Sequence, residues 1–183
     1  MTAKRIITYS IIGGIAGAAV VLAMQSCKAN MPEGAVAVKP FNVTKYLGKW
    51  YEIARYDYKY ERNLNNVTAE YSLNDNGSIK VVNRGYDYTK SEWKEATGKA
   101  KFRGDTNEAK LKVSFFGPFY AGYTVIAIDP DYTYALVAGE SLDYLWILSR
   151  QKTIPQNIKN EYMQKAAALG YNTSTLIWVK QDE

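Results

Sequence analysis

From Trp50 onward, apolar and polar residues alternate with a period of two, in short runs separated by turn residues. This pattern predicts strands over 50–55, 67–73, 79–86, 96–103, 111–116, 120–128, 132–138 and 144–149. Turn chemistry fills most of the breaks: Asn74-Asp75-Asn76-Gly77, Gly104-Asp105-Thr106-Asn107, Gly117-Pro118 and Asp129-Pro130-Asp131. A polar, tyrosine-rich loop separates the first two strands. After Ser149 the period changes. Pro155 opens a helix, Ile158, Tyr162, Ala166 and Leu169 recur at helical spacing, and Gly170 ends it. A last short strand is expected over 175–180. The expected fold is all-β: an eight-stranded antiparallel up-and-down barrel with one C-terminal flanking helix and a ninth short strand. Closing the sheet removes its exposed edges. A two-sheet sandwich is the alternative architecture.

Alternation also assigns faces. In 111–116, Leu111, Val113 and Phe115 oppose Lys110, Lys112 and Ser114, so the first set points inward. In 79–86, Ile79, Val81 and Asn83 oppose Lys80 and Arg84. In 96–103, Ala96, Gly98, Ala100 and Phe102 oppose Thr97, Lys99, Lys101 and Arg103. Small interior residues leave room for a ligand. In 144–149, Tyr144, Trp146 and Leu148 share the phase of Arg150, with Tyr144 and Trp146 nearer the open mouth. In 120–128 two phases compete, Tyr123, Val125 and Ala127 against Thr124, Ile126 and Ile128, and both are apolar enough to be inside. The candidate ligand-binding residues are therefore Tyr144, Trp146, Phe115, Val113, Phe102, Val81 and Tyr123, each weighed against ordinary core packing. Phe115, Phe116, Phe119 and Tyr120 flank Gly117-Pro118 in a loop expected to be exposed, where aromatic residues mark a contact with membrane or partner.

The amino terminus reads differently. Lys4 and Arg5 precede a charge-free apolar run over 6–24, which ends at Met24-Gln25-Ser26-Cys27. Residues 1–26 are expected to be a lipoprotein signal peptide cleaved before Cys27, and residues 27–40 a lipidated cysteine on a flexible tether. The domain proper is expected over 41–183. Met24 and Gln25 depart from the more usual residues, and an uncleaved transmembrane anchor is the alternative. Stable anchoring takes more than one acyl chain, which a lipidated Cys27 would supply.

Composition narrows the chemistry. The chain has 183 residues, 16 tyrosines, one cysteine and no histidine. Without histidine there is no Ser-His-Asp or Cys-His pair and no His-ligated zinc or haem. A single cysteine allows no intrachain disulfide. Removing Lys4 and Arg5 leaves 21 basic and 18 acidic residues, a net charge of +3 that is too small and too dispersed to indicate nucleic acid. Neither a metal nor a cofactor is indicated. Among the carboxylates, including Glu52, Glu70, Asp87, Glu92 and Glu95, no pair has a catalytic spacing, so the chain is read as a non-enzyme.

Three motifs then carry a resemblance. Gly48-Lys49-Trp50-Tyr51-Glu52-Ile53-Ala54-Arg55 is similar to the first lipocalin signature, Gly-x-Trp at the start of the first strand. Asp129-Pro130-Asp131-Tyr132 lies where the second belongs, and Arg150, ending Leu145-Trp146-Ile147-Leu148-Ser149-Arg150, matches the third. Over about residues 40–181 the chain resembles the bacterial outer-membrane lipocalins, relatives of apolipoprotein D and the plant temperature-induced lipocalins. The resemblance implies a barrel open at one end that binds fatty acids or lysophospholipids and acts in envelope lipid storage, transport or repair. It also implies a lipid-anchored, periplasm-facing position on the outer membrane. Trp50 and Arg150 are expected to stack and close one end, and to hold no ligand. Glu52 shares the inward phase of Trp50, with Arg150 a candidate partner. The sequence leaves open whether two barrels pair as a homodimer.

Overall fold

The computed structural model describes residues 31–182. The expected signal peptide, Cys27 and the first residues of the tether lie outside that range. A one-turn helix, α1 (Val43–Tyr46), leads into β1 (Gly48–Arg55). Then follow β2 (Leu64–Leu73), β3 (Ile79–Asp87), β4 (Glu92–Phe102), β5 (Lys110–Phe116), β6 (Phe119–Ile128), β7 (Tyr134–Ala138) and β8 (Leu145–Ser149). Helix α2 (Gln156–Ala168) and the two-residue β9 (Ile177–Trp178) complete the chain. Each strand pairs antiparallel with the next, β8 pairs with β1, and β1 also pairs with β2, so the barrel closes. β9 adds to the outer end of β1 through Ala54↔Trp178 and Arg55↔Ile177.

The barrel has a closed end and a mouth. At the closed end lie α1, the start of β1 and the turns β2–β3, β4–β5 and β6–β7. The mouth is ringed by residues 56–63, 88–91, 117–118 and 139–144. Two apolar clusters hold the structure. The inner one includes Trp50, Tyr71, Ile79, Val81, Leu111, Val125, Val137 and Leu148. The outer one packs Tyr162 and Ala166 of α2 on Ile126, Leu136, Leu145 and Ile147. Strands β6 to β8 are therefore buried on both faces, which explains their weak alternation. In β6 a register shift between Val125 and Ala127 resolves the two phases. Tyr123, Val125 and Ile128 join the inner cluster, while Ile126 and Ala127 turn out towards α2. A bulge inserts one residue and inverts the phase beyond it, which no strict alternation accommodates.

Several boundaries differ from expectation. β4 begins at Glu92, because its hairpin with β3 continues to Asp87↔Glu92, close to the mouth. Trp93, outside the strand expected over 96–103, is a strand residue; its ring packs on Tyr86 and under Arg84, and it is 50% exposed. β7 starts only at Tyr134, since Tyr132 has φ 57°, outside the strand region. Residues 35–39 are not a free tether. Ala35 and Ala37 are buried, Val38 N–H donates to Val125 O (2.9 Å), and Ala109 N–H donates to Val38 O (2.9 Å). Small apolar side chains and these paired backbone groups hold the segment to the outer wall.

Candidate functional site

The closed end of the barrel lies beneath the site. Trp50 is fully buried, and its indole N–H donates to Tyr46 O (2.8 Å). The Arg150 guanidinium lies 3.9 Å from the Trp50 ring centroid. It also donates to the carbonyls of Lys49 (2.7 Å), Leu47 (2.8 Å), Lys45 (2.9 Å), Tyr46 (3.2 Å) and Tyr132 (3.3 Å). Gly48 has φ 89°, a left-handed backbone conformation that glycine adopts without strain, and it lies beside Arg150. Asp129 Oδ1 accepts from the amides of Thr133 (2.7 Å) and Tyr134, and Tyr132 Oη accepts from Asn42 N–H (2.8 Å). All five motif residues thus belong to the structural end, away from the mouth.

Above this plug lies a cavity of about 720 Å³ open to the mouth. Its walls include Ile79 and Val81 of β3, Ala96 and Ala100 of β4, Leu111, Val113 and Phe115 of β5, Tyr123 of β6, and Trp146 and Leu148 of β8. Of the seven binding residues expected from the sequence, Tyr144, Trp146, Phe115, Val113, Val81 and Tyr123 border this space. Phe102 does not. Its ring packs edge-on against Phe41, 6.3 Å between centroids, near the β4–β5 turn at the closed end. Correct facing was not enough, because Phe102 lies too far along its strand to reach the cavity. The room expected at Gly98 is also taken. A Cβ there would lie 2.8 Å from Phe115 Cδ1, so the Phe115 ring fills the space the glycine leaves.

Several polar groups enter this apolar wall, and two clusters of them are hydrogen-bonded. Nearer the mouth, Glu52 pairs with Arg55, Nη1 to Oε1 at 2.8 Å, and both are almost fully buried. The partner of Glu52 is therefore Arg55 and not Arg150. Arg150 is already committed to five carbonyls, and the register shift between Glu52 and Ala54 brings Arg55 to the Glu52 side chain. Arg55 Nη2 also donates to Glu61 O (2.6 Å). The Glu61 carboxylate has an indole donor, Trp146 Nε1 at 3.2 Å. Burial, then the nearby Glu61 charge, push the Glu52 carboxyl well above the usual carboxylate range despite Arg55. Burial raises Glu61 as well, against the Trp146 hydrogen bond and Arg55. Deeper, three tyrosine hydroxyls meet: Tyr46 to Tyr123 at 2.6 Å and Tyr71 to Tyr123 at 2.8 Å.

The mouth carries a run of rings. Phe116 meets Tyr60 (5.6 Å between centroids), Tyr60 meets Tyr58 (5.3 Å), Tyr58 meets Tyr144 (5.6 Å), and Tyr144 stacks on Trp146 (6.2 Å). Phe116 and Phe119 are 64% and 79% exposed, as expected of the loop around Gly117-Pro118, whereas Phe115 turns into the cavity. Sequence reasoning missed Tyr58, Tyr60 and Glu61, because their loop has no periodicity. It also missed Tyr46 and Tyr71. Tyr71 could have been found, since Val67, Ala69 and Tyr71 alternate with polar neighbours in β2.

A family profile described as a lipocalin-like domain matches residues 41–181. The chain is 52% identical over 150 residues to "Outer membrane lipoprotein Blc" of Citrobacter freundii, covering 82% of this chain and 85% of that one. It is 38% identical over 148 residues to "Temperature-induced lipocalin-1" of Arabidopsis thaliana, covering 76% and 78%. Among solved structures, insecticyanin from the tobacco hornworm Manduca sexta superposes with a TM-score of 0.67 at 19% identity, over 84% of this chain and 88% of that one, which shows a shared fold. A closed eight-stranded barrel, its three motifs joined at one end and a family match across nearly the whole described chain together establish that this protein belongs to the lipocalin family.

Proposed function

We propose that this chain is a membrane-anchored lipid carrier that holds a fatty acid or lysophospholipid in its barrel, for storage, transport or repair of envelope lipids. The observation that carries this reading is the open, largely apolar cavity above the closed end. An acyl chain fits such a lining, because burying apolar surface gives affinity without directional contacts. The headgroup stays at the mouth, beside the aromatic run of Tyr58, Tyr60 and Tyr144. A structural lipoprotein with a filled barrel is the competing reading, and the open cavity favours the carrier. The similarity to proteins named outer membrane lipoproteins supports an outer-membrane address, with Cys27 as the lipidated residue and the barrel facing the periplasm.

Two measurements test this. Delipidated protein titrated with fatty acids of increasing length should bind with rising affinity until the cavity is full, then level off. Failure to bind any of them would leave the structural reading standing. Separately, Cys27→Ser should abolish metabolic palmitate labelling, since only the thiol accepts the diacylglyceryl group. Labelling that persists would refute the anchor.

A further inference from the structure

The three hydroxyls at the cavity floor come from separate elements, Tyr46 from α1, Tyr71 from β2 and Tyr123 from β6. Two oxygen–oxygen contacts join them. Each hydroxyl brings one hydrogen, so three hydrogens serve two contacts. Tyr46 and Tyr71 do not meet each other in ordinary hydrogen-bond geometry, so one O–H has no tyrosine to donate to. Among the described residues, these hydroxyls have no further hydrogen-bond acceptor. All three side chains border the cavity, and the walls around them, Ile79, Val81 and Leu111, are apolar. A spare donor in such surroundings is costly unless something accepts from it.

The character of the acceptor follows from the neighbours. Burial holds all three phenols above their ordinary titration range, so they remain protonated donors at physiological pH. Arg150 beneath Tyr46 offsets the Glu52 and Glu61 charges that act on Tyr71, but an anion at the floor would still lose its hydration among apolar walls at high cost. A neutral oxygen would not.

We propose that the triad of Tyr46, Tyr71 and Tyr123 is a binding subsite for a neutral oxygen carried at the buried end of an acyl ligand: a hydroxyl or carbonyl, as a hydroxylated or oxidised chain presents. This rests on the reading of the cavity as an acyl-chain site. It adds a chemical preference at the deep end, where plain chains offer only a methyl group.

The test compares plain fatty acids with their ω-hydroxy counterparts across a length series, by displacement of a fluorescent fatty acid from the purified protein. A hydroxyl buried without a partner weakens binding by about tenfold or more. That penalty is expected at lengths that leave the hydroxyl short of the floor, and it should vanish or reverse at the length that reaches the triad. Replacing one tyrosine still leaves a spare hydrogen, so the informative variant is Tyr46→Phe/Tyr71→Phe/Tyr123→Phe. Removing all partners at constant shape is well tolerated in buried sites. In that variant the about tenfold penalty should return at the matching length, read as the ratio of ω-hydroxy to plain acid measured on the same variant. A keto group near the chain end supplies a readout on the unmutated protein: its infrared carbonyl band should take the hydrogen-bonded position. A uniform penalty at every length, or a free carbonyl band, would mean that water alone serves the spare hydrogen and would overturn the proposal. If plain acids fail to bind at all, the fault lies instead with the acyl-chain reading of the cavity.

Discussion

The two ends of this barrel treat polar groups in opposite ways. At the closed end, Arg150 donates to five carbonyls while its face covers the Trp50 ring, and the Trp50 N–H is itself paired. At the mouth, the Glu61 carboxylate has an indole for a donor, Arg55 Nε lacks a partner, and large aromatic rings face outward. A satisfied network contributes stability and specifies one packing. A partly satisfied one costs stability and leaves groups ready for a ligand. The anchoring of the fold thus lies at one end, and the headgroup site proposed above lies at the other.

The strongest way to break this contrast is Trp50→Ala. Losing a fully buried indole together with its stacking partner should cost about 3–5 kcal/mol in urea unfolding. Fatty-acid affinity of the surviving folded fraction should change little. A large affinity loss at unchanged stability would show that the closed end also binds ligand.

A smaller effect is expected from Glu61→Gln. In the native state Glu52 and Glu61 both have raised pKa values, so the folded protein holds protons that the unfolded chain releases. Stability from this source is therefore present below the ordinary carboxylate pKa and declines as pH rises through the raised values. Removing the Glu61 charge relieves Glu52 and leaves its pair with Arg55 intact. The variant should gain on the order of 1 kcal/mol at pH 7–8 and show a flatter pH dependence than wild type. Parallel unfolding curves from pH 4 to 8 check this. Identical slopes would show that the mouth carboxylates are not strained.

The smallest effect is spectroscopic. Trp146 borders the cavity, Trp50 lies beneath its floor, and Trp93 is on the surface. The fluorescence change on fatty-acid titration should shrink markedly in Trp146→Phe. A full signal in that variant would move the ligand away from β8.

Much of the architecture was legible where one face of a strand meets solvent. In β3, in β5 and in β4 from Lys99 onward the basic residues mark the outer face, and Ile79, Val81, Ala100, Phe102, Leu111, Val113 and Phe115 of the inward sets belong to or pack on the inner cluster. In β6 the same reasoning stalls, because α2 buries its outer face and a bulge inverts the phase. The candidate site divides along the same line. Trp146 and Val113 follow from phase alone. Phe102 shares that phase but lies at the wrong depth, and alternation carries no information about depth.

What the sequence determined by itself were the properties local to the chain: the strand count, the α2 helix bounded by Pro155 and Gly170, and the motif residues around Trp50 and Arg150. These depend on periods and turn chemistry spanning a few residues. Tertiary structure alone decided which distant residues meet. Glu52 finds Arg55 through a shift in strand register, Glu61 reaches Trp146 across 85 positions, and Tyr46, Tyr71 and Tyr123 converge from three elements. Such meetings arise from closing the sheet on itself, and closure depends on the whole set of strand pairings and on no single segment.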